Sequence, residues 1–387
     1  MRVSDNLHYH DPGSHTALET TASARTTQVT HTHTVVYAYE SQHLRQQAIA
    51  GSPLDGTVNI REVHWTRDMP AEERAARFDA ALPGADAIVV APWIRNIPPF
   101  TPERWELASS VKVIAGTFDN RFGGWLDVGD ANRRGVPVID TSRSMTPSVA
   151  EFALAMTLNL IRNIPEAVHI VRDGDWPEGH WDQPGFVYGD LTGRKVGLAG
   201  FGSINRRYAE LVAPFHCDVA TCDPFVDPAV LEMAGVRSVA TLEDLAAQSE
   251  VFIIGIPPTP ATQGIISASV IDALPKGALL VLVTRMAVVE QDALWRRALA
   301  GEIRAAIDVF EPEPPPADAP FRTSPYVIPT PHMAGNTSIC HRRCFTTACD
   351  DALTVLNGGK PVYPASVWDD ALYRGALAAG TPDAGHG

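Results

Sequence analysis

Arg285, Glu313 and His332 are three polar residues of complementary chemistry, each standing just past an apolar run in the C-terminal half of the chain. Arg285 closes Ala278-Leu279-Leu280-Val281-Leu282-Val283-Thr284, Glu313 follows Ala305-Ala306-Ile307-Asp308-Val309-Phe310, and His332 follows Tyr326-Val327-Ile328-Pro329-Thr330-Pro331. A planar guanidinium can grip a 2-oxo acid at its carboxylate and carbonyl together. An imidazole can give the proton that a ketone oxygen needs as hydride reaches the carbon, if a nearby carboxylate stabilises its charged form. Taken singly, each residue has a plainer explanation: a surface arginine, a glutamate capping a turn beside prolines, a structural histidine. Their joint occurrence downstream of a glycine turn favours a site.

Short continuous apolar runs read as strands of a parallel sheet covered by helices on both faces. The carboxyl ends of such strands face the ligand crevice, so three strand ends can bring a cation, a carboxylate and an imidazole together. The glycine turn lies in Lys195-Val196-Gly197-Leu198-Ala199-Gly200-Phe201-Gly202-Ser203-Ile204, with a helix expected from Asn205 to Ala213. Gly200 permits the tight turn, and Gly202 lets backbone N–H groups approach a pyrophosphate at the helix N-terminus. Asn205 stands where the third glycine of G-x-G-x-x-G is expected. The next strand, Val219 to Cys222, ends at Asp223, 21 residues beyond Gly202. That spacing suits the acid that binds the adenosine ribose, and a carboxylate there repels a 2′-phosphate. No arginine follows Asp223 at once, so NAD (as NADH) is favoured over NADP.

The 387 residues point to two domains. With 45% hydrophobic and 20% charged residues, the chain can bury a substantial core. A formal net charge of −14 without a basic block argues against nucleic acid or an anionic membrane as partner. No apolar stretch reaches bilayer-spanning length, and the first residues lack the apolar core of a secretory signal. The cysteines, Cys217, Cys222, Cys340, Cys344 and Cys349, are odd in number, which fits a reducing cytoplasm. Cys340, His341 and Cys344 raise a metal question, but with no second cysteine pair nearby they read as buried groups of a helix, and no metal is expected.

Residues 1–33 read as a flexible extension. Strands are then expected at Thr34–Tyr39, Ala87–Val90, Val111–Ala115 and Val136–Ile139, with a helix around Ala71–Ala80; Pro137 confines the last strand to an edge or an end. Thr146-Pro147 opens a long, mostly buried helix running to Ile164, with Thr146 as its N-cap. The stretch from Asp173 to Gly193, with its tryptophans and prolines, reads as a packed loop, and a second βα series runs from Lys195 to about Pro331.

Taken together, the segments Thr146–Glu151, Gly197–Ile204, Arg285–Leu294, Ala306–Pro314 and Thr330–Gly335 resemble the D-isomer-specific 2-hydroxyacid dehydrogenase family, over about Thr34 to Val367. The resemblance implies a two-domain α/β fold: a Rossmann doubly wound parallel sheet plus a flavodoxin-like α/β substrate domain. Its boundaries would be 34–144 for the first part of the substrate domain, 145–335 for the NAD-binding domain, 336–370 for the return to the substrate domain and 371–387 for a flexible tail. It implies NAD-linked interconversion of a 2-oxo acid and a D-2-hydroxy acid in a homodimer paired through the long helix and loop after Thr146. Arg285, Glu313 and His332 fall on the family's catalytic positions; Glu311 is a nearby decoy. Cofactor contacts would come from Gly200, Gly202, Ser203, Ile204, Asp223 and Pro224. Further contacts would come from Pro257, Val283, Thr284 and Arg285, then from Asp308, which would hold the nicotinamide carboxamide, and from His332 and Gly335. The substrate carboxylate would meet Pro92, Trp93, Gly116 and Thr117 together with Arg285.

The chain departs from the family's pattern at four places. Asn205 replaces the third glycine and is expected to loosen helix–strand packing. Leu282 stands where Asn is usual, Met286-Ala287 where glycine follows the arginine, adding bulk beside Arg285, and Ser203 where a basic residue is common. Two other functions suit the same residues: oxidoreduction of a phosphorus-containing substrate (a phosphonate keto acid or phosphite), and an NAD-sensing, corepressor-like binding protein. A panel of oxo acids discriminates among them.

Overall fold

The computed structural model describes residues 32–40, 48–92, 94, 96–118, 125–176, 189–259 and 261–365. Nearly all of the expected N-terminal extension, the tail from 366 onward, Trp93 and most of the segment between Asp173 and Gly193 lie outside the described residues. Among the described residues the strands form two sheets, and every pairing between their strands is parallel.

The first sheet has the order β2-β1-β3-β4-β5, from β1 (Thr34–Glu40), β2 (Asn59–Trp65), β3 (Ala87–Val90), β4 (Val113–Gly116) and β5 (Val138–Asp140). Its helices are α1 (Ala71–Ala81), α2 (Pro102–Leu107) and α3 (Val128–Arg133). Ala87-Ile88-Val89-Val90 is buried at every position because β3 is covered on both faces. β2 was not expected. Its residues NIREVHW are exposed or half-buried at five of seven positions, as suits an edge strand with little apolar content. β5 begins directly after Pro137, and its position at the end of the order places that proline where no ladder donor is lost.

The chain then crosses to the second sheet through α4 (Thr146–Arg162) and α5 (Ile164–Arg172). Two expectations are corrected here. Thr146 is not the N-cap: a short 3₁₀ turn, Ser142–Met145, leads into the helix, so Met145 holds the cap position without a side-chain bond. The helix also stops at Arg162 rather than running on to Ile164. Asn163 adopts a left-handed backbone (φ 49°), and Pro165 has no N–H to donate to a continuing ladder. Buried Arg304 donates to Asn163 Oδ1 and to Pro325 O, which fastens the break to the second sheet.

The second sheet runs β12-β11-β10-β9-β6-β7-β8, from β6 (Lys195–Ala199), β7 (Asp218–Cys222), β8 (Arg237–Ser238), β9 (Val251–Ile254), β10 (Leu279–Leu282), β11 (Arg304–Ile307) and β12 (Val327–Pro329). Its helices are α6 (Ser203–Val212), α7 (Pro228–Ala234), α8 (Leu242–Ala247), α9 (Ala268–Ala273) and α10 (Gln291–Leu299). Alternate residues of β9 and β10 enter the two cores on opposite faces, Phe252 and Leu280 with Ile271 and Leu294, Ile253 and Val281 with Leu160 and Tyr208. Each such fully buried side chain contributes about 1.5–3 kcal/mol, so the middle of the sheet is its most strongly held part. The strand order reverses between β6 and β9. Ligands bind at such a switch point, outside the carboxyl ends of the strands.

The last helix, α11 (Ser338–Leu356), returns to the first sheet, where Phe345, Ala348 and Ala352 join Val35, Tyr37 and Val89 in one core. Buried Asp351 accepts from the backbone N–H of Val362 and Tyr363, holding that segment antiparallel to β5. The two crossings lie side by side: Arg343 donates to Ser144 O at 2.7 Å and to Ser148 Oγ at 3.0 Å, and a Cβ on Gly335 would meet Met145 and Val149 at 3.6 Å.

Candidate active site

The glycine turn leaves β6 at the switch point. Gly200 has φ +80°, a conformation that side chains disfavour. Gly202 is the N-cap of α6, and a Cβ there would meet no atom within 4 Å, so the space above the helix terminus is open. Helix N-termini present unsatisfied N–H groups that suit phosphate. Asp223, at the end of β7, accepts from Phe201 N at 2.7 Å and from Phe225 N at 2.9 Å, which fixes the carboxylate beside the turn. A dinucleotide therefore fits these residues: Gly200, Gly202 and the first turn of α6, with Ser203 and Ile204, for the phosphates, and Asp223 for a ribose. Pro224 is exposed just after it. Asn205 does not loosen the packing as expected. It is fully buried, and its Nδ2 donates to Gly200 O at 2.7 Å and Ala199 O at 3.2 Å.

β10, β11 and β12 are adjacent, and the three polar residues follow their carboxyl ends. His332 Nδ1 lies 2.7 Å from Glu313 Oε1, and Arg285 Nη1 lies 3.5 Å from His332 Nε2. A carboxylate only accepts, so Nδ1 carries a proton and Nε2 is the ring atom left to exchange one. The guanidinium only donates, so facing it Nε2 offers its lone pair. At 3.5 Å that contact is long, and both groups can turn to one oxygen placed between them. Glu311, the decoy, is exposed and lines a separate surface cavity with Gln263, Glu290 and Asp292.

Asp308, expected to meet the nicotinamide carboxamide, is bonded to the loop around His332. It is 1% exposed, and its carboxylate accepts from Thr330 Oγ1 at 2.6 Å and from Met333 N and Ala334 N at 2.9 Å each. His332 sits inside this loop with φ +50°, a left-handed backbone that few non-glycine residues adopt. Asp308 thus fastens both sides of the residue that carries the imidazole. Thr330, which shares this work, was not singled out in the sequence; its hydroxyl facing a buried carboxylate is visible only in three dimensions.

Thr284 continues β10, with its hydroxyl on Ile254 O at 3.2 Å; Val283 is buried, and Pro257 O accepts from Thr262 Oγ1. Met286 does not crowd Arg285: it is 2% exposed and packs in the core with Val288 and Leu282, itself fully buried. Pro92 is buried after β3. Gly116 ends β4, where a Cβ would come within 2.3 Å of Val90, and the Thr117 hydroxyl faces that of Thr141 at 2.9 Å. The described residues contain no group of three or more His, Cys, Asp or Glu side chains arranged for a metal. No helix among them is long and apolar enough to cross a membrane.

Residues 154–334 match the profile of the D-isomer specific 2-hydroxyacid dehydrogenase, NAD binding domain. D-3-phosphoglycerate dehydrogenase from Mycobacterium bovis is 31% identical over 301 residues, covering 77% of this chain and 53% of that protein. The enzyme of the same name from Methanocaldococcus jannaschii is 31% identical over 278 residues, covering 71% and 50%. The chain thus spans about half the length of the curated relatives it matches. The solved PH0520 protein from Pyrococcus horikoshii superposes with a TM-score of 0.69 at 25% identity, covering 87% of this chain and 96% of that one. A phosphoglycerate oxidoreductase from Rhizobium etli gives 0.70 at 23%, covering 86% and 98%, and shows the shared fold. The strand order, the glycine turn with its partner acid and the sequence match over that half of the molecule converge: residues 154–334 are a NAD binding domain of the D-isomer specific 2-hydroxyacid dehydrogenase family.

Proposed function

We propose that the protein is an NAD(H)-dependent oxidoreductase that interconverts a 2-oxo acid and a D-2-hydroxy acid. The observation that carries this reading is the contact chain from Glu313 through His332 to Arg285 at the mouth of the dinucleotide sheet. When bound, the nicotinamide supplies the hydride or takes it. Arg285 would hold the acid by carboxylate and carbonyl. His332 Nε2 would give the proton to the carbonyl oxygen in reduction and take it back in oxidation. Glu313 would hold the ring orientation and balance the charge that appears on it. Closure of the crevice at the crossings near Ser144 and Gly335 would exclude water, with Pro92, Gly116 and Thr117 on the opposite wall.

The test is oxidation of NADH, with NADPH in parallel, against glyoxylate, hydroxypyruvate, 3-phosphohydroxypyruvate, branched 2-oxo acids and phosphonopyruvate. The relatives named D-3-phosphoglycerate dehydrogenase are the reason for the phosphorylated acid. One acid should stand well above the rest, with NADH preferred because Asp223 would accept from both ribose hydroxyls and repel a 2′-phosphate. Inertness toward the whole panel would sink the enzymatic reading in favour of a dinucleotide-sensing binding protein; an NADPH preference would remove Asp223 as the discriminator. All five cysteines are free thiols, in keeping with a reducing cytoplasm.

We further place the partner surface on α5. Ile164, Val168 and Val171 lie one helical turn apart and are 44%, 39% and 53% exposed, and no residue of α5 is buried within the chain. A second copy covering this face would form a homodimer. Sedimentation should show a dimer at micromolar concentration and a monomer after Val168→Glu with Val171→Glu; a monomeric wild type would refute the assignment.

A further inference from the structure

Asn205 is a side chain where the fold usually has room for none, since the third position of a glycine fingerprint is where helix and strand pack most closely. The room comes from Gly255, the residue after β9 on the other side of the switch point. A Cβ on Gly255 would clash with Asn205 Nδ2 and lie 2.5 Å from its Cγ, so the buried amide or the backbone beside it would have to shift. Gly255 N donates to Ala199 O at 2.9 Å, the same carbonyl that accepts from Asn205, and a Cβ on Gly200 would meet the Ile256 side chain at 3.2 Å and the Gly255 backbone at 3.6 Å. Carbonyls on that side fix which amide atom faces them: it must be the nitrogen. Oδ1 has no donor among the described residues, so the two bonds from Nδ2 are what this amide contributes.

We propose that Asn205 and Gly255 form a lock in place of the missing third glycine, with Asn205 as a positioning residue for the dinucleotide phosphates. The amide holds the carbonyls of Ala199 and Gly200 inward. With Gly200 N on Cys222 O and Phe201 N on Asp223, the turn is fastened on its inner side. The amides that follow, at the start of α6, are then directed outward to the phosphates. The glycine has in effect moved from the helix to the neighbouring strand end.

The inference rests on the dinucleotide reading of this turn and not on the oxo-acid chemistry, so it is tested by NADH titration and thermal unfolding. Asn205→Gly should raise the Kd for NADH about tenfold, the order expected for losing a buried hydrogen bond. Asn205→Asp, with the same shape and no donor, should raise it further. In turnover the effect should fall on KM for NADH more than on kcat. Gly255→Ala should lower both the unfolding temperature and NADH affinity, and Asn205→Gly in the same chain should restore the unfolding temperature while affinity stays below wild type. If Gly255→Ala alone does not fold, recovery of a folded protein in the double variant is the supporting result. Asn205→Gly and Asn205→Asp binding NADH as wild type does, or a double variant no more stable than Gly255→Ala, would overturn the lock. Wild-type protein that binds no dinucleotide would overturn the cofactor reading and the lock together.

Discussion

His332→Gln should lower kcat/KM for the best 2-oxo acid by about 10²–10⁴-fold, the range contributed by a positioned general acid–base. Glutamine keeps a polar group of similar length but cannot carry a proton at one atom and release it at another. The geometry makes that relay specific: Nδ1 is committed to Glu313 at 2.7 Å, so Nε2 is the working atom. The backbone of position 332, with φ +50° and the loop fastened by Asp308, fixes where the ring emerges. A steady-state comparison at saturating NADH suffices. A loss below tenfold would mean that another group handles the proton.

Arg285→Ala should remove about 3 kcal/mol or more of binding to the reacting acid, roughly a hundredfold in kcat/KM, because two charge-assisted hydrogen bonds are lost together. The loss should appear with every 2-oxo acid and leave NADH titration nearly unchanged, since the guanidinium faces His332 and not the glycine turn. Lysine should rescue little, because a point charge cannot span carboxylate and carbonyl as a planar fork does. Arg285 Nη1 already donates to Thr284 O at 2.7 Å, which aims the fork along the strand end. Turnover near wild type in the alanine variant would exclude this residue from the reaction.

Much of the second sheet was legible because its strands are buried on both faces and so stand out as continuous apolar runs, with turn residues between them. The same logic failed at β2, whose edge position leaves Arg61, Glu62 and His64 exposed or half-buried and erases the apolar pattern. Helix boundaries failed for a related reason. Thr146-Pro147 has the composition of a helix start, but the preceding 3₁₀ turn supplies the entry, and the helix ends where Asn163 turns left-handed two residues ahead of Pro165. At the candidate site, residue types and their order singled out Arg285, Glu313 and His332, and the fold brings these three side chains together. What packing decides was misread at two positions. Met286 turns into the core instead of the crevice, and Asn205 is accommodated by a glycine 50 positions away. Each of these depends on a neighbour distant in sequence, which a single chain read in order does not expose.

Because β10, β11 and β12 are hydrogen-bonded neighbours, rotation of one half of the molecule against the other cannot separate the guanidinium from the imidazole and its acid. The unit proposed to handle the proton is thus preassembled, and a hinge at the crossings would change only what stands opposite it. It follows that the two halves are free to diverge separately, one conserving how protons move and the other exploring which molecule is admitted. Grafting the 32–140 half of a relative with a different oxo acid onto this chain should then transfer substrate preference without rebuilding the proton relay.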